Sequence, residues 1–119
     1  MTRLFALCLA LIIAAPAWAE EFQTVRDRGT FLSLVKDRDL RISFWGIRLQ
    51  VTPDGKIEGK ALGRPVSGQW QWQGGYFCRD LYWGERDLGP NCQQVQVQGR
   101  TIRFTSDKGD GQFADLTLN

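Results

Sequence analysis

The residues best equipped for chemistry crowd into one stretch of the chain, from Trp70 to Cys92. Trp70 and Trp72 stand two apart, so on a strand both rings lie on one face, with Gln69, Gln71 and Gln73 on the other. Arg79, Tyr82, Trp83 and Arg86 follow closely. Aromatic rings lining the mouth of a barrel bind apolar or sugar-like ligands by stacking and burial. Arg79 or Arg86 beside them would hold a carboxylate or phosphate. Trp70, Trp72, Arg79, Tyr82, Trp83 and Arg86 are therefore the candidate ligand-binding residues. The competing reading is structural: each large ring buries roughly 150–250 Å², and Trp70 and Trp72 would simply fill the core. Trp83, in a charged and glycine-flanked segment, is balanced between the two.

Asp80, Glu85 and Asp87 admit a second chemistry, a carboxylate pair acting as general acid and base in glycoside cleavage. The interspersed Arg79 and Arg86 suggest ordinary surface ion pairs instead. The chain has no histidine, which removes the commonest general base. It also lacks a Gly-x-Ser-x-Gly elbow, a phosphate loop and a histidine-based metal motif. No catalytic residue is assigned, and no metal or cofactor is expected.

The remaining reactive side chains are the cysteines. Cys8 belongs to an apolar leader, which leaves Cys78 and Cys92 to pair in an oxidising compartment. Their spacing is not the Cys-x-x-Cys of an activated dithiol. Two thiols without histidine are too few soft ligands for zinc.

The compartment is read from residues 1–19. Arg3 is a short basic start, Leu4 to Ala15 is apolar, and Ala17-Trp18-Ala19 offers small residues where an export peptidase reads. The apolar run, about twelve residues, falls short of the roughly twenty of a spanning helix. The expectation is cleavage after Ala19 and a periplasmic or secreted chain from Glu20 with no membrane span. Residues 20–119 suffice for a single disulfide-linked domain. A net charge of only +2, with the positive residues scattered, gives no net electrostatic attraction to nucleic acid or anionic lipid.

The elements that must position these residues are mostly strands. Glu20 to Thr24 reads as a loose lead-in. Thr24 to Arg38 carries the helical signal, with Val25, Arg28, Phe31, Leu32 and Val35 near one face and Thr24 as the cap. After Leu40 the period becomes two. Ile47 to Val51 and Lys56 to Leu62 flank the turn Pro53-Asp54-Gly55 and form a hairpin. Gly63-Arg64-Pro65 breaks the chain. Gln69 to Gln73 and Tyr76 to Trp83 flank Gly74-Gly75, and Gly84 to Asn91 is a charged connection. Gln94 to Gln98, Thr101 to Thr105 and Phe113 to Leu118 complete the set. Alternation with tight turns predicts a mainly β fold: an antiparallel meander curled into a small barrel or folded as a sandwich. The amphipathic helix would cover an open end or an edge.

The run Gly68-Gln69-Trp70-Gln71-Trp72-Gln73-Gly74-Gly75-Tyr76-Phe77-Cys78-Arg79, then Tyr82-Trp83-Gly84 and Cys92, resembles small exported bacterial proteins of unknown function. In those a Gly-x-Trp strand runs into a Cys-containing strand, with a second Cys downstream. The hairpin Thr52 to Gly59 fits the same resemblance. Some of these proteins carry the label dihydrodipicolinate reductase, which the residues here do not support. A glycine-rich nicotinamide turn is missing, and the chain is too short for two domains. The resemblance implies export, a disulfide and a β fold. The function expected from the sequence is a non-enzymatic exported domain that binds a small ligand or an envelope component. The rival expectation is a protein–protein module, such as an inhibitor of a secreted hydrolase, presenting the Cys78–Cys92 loop to an envelope protein.

Overall fold

A computed structural model describes residues 21–119. The export leader read over residues 1–19 lies outside them. The elements in chain order are β1 (Gln23–Val25), α1 (Arg28–Val35), β2 (Leu40–Ile42), β3 (Ile47–Val51), β4 (Lys56–Ala61), β5 (Arg64–Gln73), β6 (Tyr76–Trp83), β7 (Arg86–Asp87), β8 (Asn91–Gln98), β9 (Thr101–Thr105) and β10 (Phe113–Leu118).

Strands β2 to β6 pair each with the next, β8, β9 and β10 do the same, and β10 pairs back onto β2. Pairing of β6 with β8 closes the ring, giving an eight-stranded antiparallel up-and-down barrel. Of the two architectures compatible with the alternation, the chain adopts the barrel. The choice rests on two long-range pairings, β6 with β8 and β10 with β2, which no local pattern encodes. The closing seam is short: Phe77, Cys78 and Arg79 face Gln93, Cys92 and Asn91. The disulfide Cys78–Cys92 lies across it. Above the seam β1 takes the edge of β8 that β6 has left, with Val25 opposite Val95. Below it, β7 pairs with the end of β6.

Two inward positions are glycine for a steric reason. Gly59 sits at φ 149°, and a Cβ there would overlap the carbonyl oxygen of Arg48. At Gly68 a Cβ would overlap the carbonyl oxygen of Asp80. The strands bend so sharply at these points that backbone approaches backbone, as small barrels require.

The helix closes one end. Its cap is Asp27, whose Oδ1 accepts a hydrogen bond from the Thr30 N–H at 2.8 Å. The expected start at Thr24 is corrected: Thr24 lies in β1, paired with Gln96, so the lead-in is a strand and the helix begins a turn later. The expected break at Arg64-Pro65 is likewise strand, opposite Ala61 and Lys60, where an exposed strand start tolerates proline. From the helix, Phe31 and Val35 point into the barrel and are fully buried. The Phe31 ring meets Trp70, Trp72, Phe77 and Phe104 with centroids 5.1–6.4 Å apart. Arg28 donates from Nη2 to the Pro53 carbonyl at 2.9 Å, tying the helix to the β3–β4 turn.

The return from the helix is anchored by Asp39. It accepts hydrogen bonds from the Gln50 amide and from Arg41, and an ion pair from Arg48 at 2.8 Å. These partners, Gln50 first, hold its carboxyl below the usual 3.8. A lowered folded-state pKa contributes stability above the unfolded value, lost as pH falls through the folded one. The Asp39→Asn variant should therefore show a flatter loss of thermal stability on acidification, read as melting temperature against pH. Solvent screening at these part-exposed groups keeps the effect modest.

Candidate functional site

Inward-facing side chains grade from tightly packed to loosely covered along the barrel axis. At the helix end Phe31, Val35, Leu40, Val95, Ile102 and Leu118 are essentially inaccessible. Toward the other end Ile47, Ala61, Leu81 and Trp83 are half-covered, and Ala114, in phase with the buried Leu116 and Leu118, is exposed. Solvent thus enters the barrel from the end opposite the helix. The aromatic cluster fills the helix end, and between it and the open end lies a cavity of about 200 Å³. Its walls are apolar, with Leu40, Leu49, Ile57, Leu81, Phe104 and Leu116 prominent. The two polar residues among them are Arg79 and Gln93.

Arg79 alternates in phase with Phe77 and Leu81, and β6 puts all three on the inner face. Among the described residues its guanidinium makes one hydrogen bond, from Nη1 to the Gly89 carbonyl at 2.8 Å. Burial pushes its pKa down, and the neighbouring charge of Asp80 acts the other way. A half-buried guanidinium with spare donors beside an apolar hollow is equipped to receive an anion. Gln93 holds a long contact to the Ser106 hydroxyl at 3.4 Å and adds an amide to the same wall.

A larger hollow of about 740 Å³ runs along the outside. Exposed Gln69, Gln71 and Gln73 of β5, Asp54 and Lys56, and the disulfide border it. Arg79 borders both hollows, standing where β6 and β8 part beyond the Arg79–Asn91 pair. The outer groove is wet and polar, with no aromatic ring exposed to stack on: Trp70 contributes to its wall, but the ring is turned inward and 4% exposed. The apolar interior is the better chemical site.

The other candidates divide. Trp70 and Trp72 belong to the aromatic plug, the first donating its Nε1–H to Thr52 O at 2.9 Å, the second to Arg26 O at 3.3 Å. Trp83 points inward at the open end, donates to Ala61 O at 2.7 Å and carries the Arg64 guanidinium 4.8 Å above its ring. Tyr82 and Arg86 are exposed and lie on β6 and β7, away from the inner face that carries Arg79. Asp80, Glu85 and Asp87 are all exposed, and nothing buries one relative to another. The Cys78–Cys92 segment is folded back as a hairpin, with the Leu88 N–H bonded to Leu81 O and the Gly89 N–H to Asp87 Oδ1. Among the described residues no cluster of metal-ligating side chains occurs, and no helix is long and apolar enough to cross a membrane.

Sequence reasoning missed the aliphatic wall and Gln93. The period-two pattern gives their inward direction, but not that the space between them stays open. No protein-family model matches the chain, and neither a curated protein nor a solved structure does.

Proposed function

We propose that this protein is an exported binding module whose barrel interior takes a short apolar chain ending in an anionic group, the anion resting on Arg79. The observation that carries the reading is the pairing of a half-buried Arg79 with a largely apolar cavity of about 200 Å³. Eight strands is the size at which a barrel interior is either filled or holds one small ligand. At about 30 Å³ per atom-sized group, the cavity admits roughly six or seven non-hydrogen atoms. Export, the disulfide and the resemblance to small exported bacterial proteins are consistent with a ligand met outside the cytoplasm.

Hexanoate is the matching probe: its six carbons fill the cavity, and its two oxygens reach Arg79 where the cavity meets the outer groove. Calorimetric titration should show hexanoate binding, with hexan-1-ol, of equal chain length and no charge, binding much more weakly. Hydrogen bonds to a charged group contribute about 1.5–3 kcal/mol, so Arg79→Leu should weaken hexanoate about tenfold to a hundredfold. Equal affinity for the two probes, or hexanoate binding unchanged in the variant, would overturn the reading.

A further inference from the structure

The four connections at the open end differ sharply in composition. The β6–β7–β8 and β9–β10 connections are rich in charge, whereas Ser43-Phe44-Trp45-Gly46 and Leu62-Gly63 carry none. Phe44, Trp45 and Leu62 are 88%, 51% and 58% exposed. They form one patch. Phe44 and Trp45 meet edge to face at 5.2 Å, and the Leu62 N–H is hydrogen-bonded to Trp45 O at 3.3 Å.

Leu62 is in the wrong place for folding alone. It sits at φ 51° in a two-residue turn, a conformation that favours Gly, Asn or Asp. A bulky leucine there strains the backbone and, being exposed, recovers little by burial. Strain retained at an exposed apolar residue points to a contact made with another body.

The flanking charge says what that body is. Arg41, Arg48 and Lys60 stand side by side across β2, β3 and β4 on the outer face, with Arg64 opening the next strand. Against them stand Asp39, which pairs with Arg41 and Arg48, and Glu58 on β4. The balance beside the patch is positive. Three side chains on two turns fall well short of the roughly 1,000 Å² of a specific protein interface. They do match an interfacial anchor: aromatic and aliphatic tips enter the headgroup boundary while neighbouring Arg and Lys meet anionic lipid.

We infer that the Phe44–Trp45–Leu62 edge of the barrel mouth docks on an anionic lipid bilayer. The inference does not depend on the interior ligand. It is tested with the chain beginning at Glu20, which contains the whole barrel, by co-sedimentation with mixed phosphatidylcholine–phosphatidylglycerol vesicles and with pure phosphatidylcholine vesicles. Binding should favour the mixed vesicles and fall with added salt. The double variant Phe44→Ser/Trp45→Ser should lose about tenfold or more of that binding. Leu88→Ser, in the β6–β7–β8 connection, should leave it unchanged. The Leu62→Asn variant should bind vesicles more weakly yet melt at a higher temperature, a combination that a damaged fold does not produce. Absence of binding to the mixed vesicles would overturn the inference. So would binding that the Phe44/Trp45 variant leaves intact.

Discussion

Replacing Phe31 by alanine should lower the unfolding free energy by about 3–5 kcal/mol, the usual cost of removing a buried aromatic ring. Phe31 is 0% exposed and is the point where the helix enters the barrel. Its ring touches aromatic side chains from β5, β6 and β9, so its loss leaves a void bordered by three strands. These large rings are stacked, tilted or set edge to face, and a tightly packed cluster relaxes poorly into such a void. A domain of this size has roughly 5–15 kcal/mol in all, so the variant would be close to unfolding at ambient temperature. Denaturant titration of the disulfide-bonded protein gives the number directly. A loss below about 1 kcal/mol would mean that the helix is an appendage and not the closure of the barrel.

Removing both cysteines, as Cys78→Ser/Cys92→Ser, should cost about 3 kcal/mol by the chain-entropy estimate for a loop of this length. For a domain of this size that corresponds to a fall in melting temperature of about 12–24 °C. The location makes the loss consequential. The β6–β8 seam that closes the barrel has three residue pairs, whereas the neighbouring β5–β6 pairing has eight. Cys78 and Cys92 are the middle pair of the three. Without the bridge the seam is the first place for the barrel to open, and backbone amides of residues 91–93 should exchange faster than those of β5. Thermal unfolding of wild type with and without reductant, beside the double variant, measures the first effect, and hydrogen exchange of the double variant measures the second. A change of only a few degrees would show that the remaining pairings hold the ring closed unaided.

Which parts of this architecture were legible in the sequence follows from the range of each interaction. Alternation in Ile47–Val51, Thr101–Thr105 and Tyr76–Trp83 records a wet face and a dry face, and the strands lie where it occurs. Strands of three residues, β1 and β2, are too short to display a period. The helix start moved from Thr24 to Asp27 because pairing with β8 claims Thr24, a long-range contact that outweighs a local cap. The same alternation that turned Trp70 inward also turned Arg79 inward, but it says nothing of how far the helix end fills the space. That depends on Phe31 reaching rings on three strands. At the inward position Ala114 the barrel lacks side-chain volume, and Ala114 lines the cavity. That small residue, in phase with Leu116 and Leu118, was the available signal for the hollow. The outward Tyr82 and Arg86 were grouped with Arg79 by proximity along the chain, which a period of two divides between faces.

The most direct measurement is a set of intermolecular NMR contacts between bound hexanoate and methyl-labelled protein. The account predicts contacts from the hexanoate chain to the methyl groups of Leu49, Leu81 and Leu116, with the Arg79 guanidinium signal shifting on addition. Contacts confined to the side-chain amides of Gln69, Gln71 and Gln73 on the outer groove, or none to the interior methyls at saturating hexanoate, would contradict it.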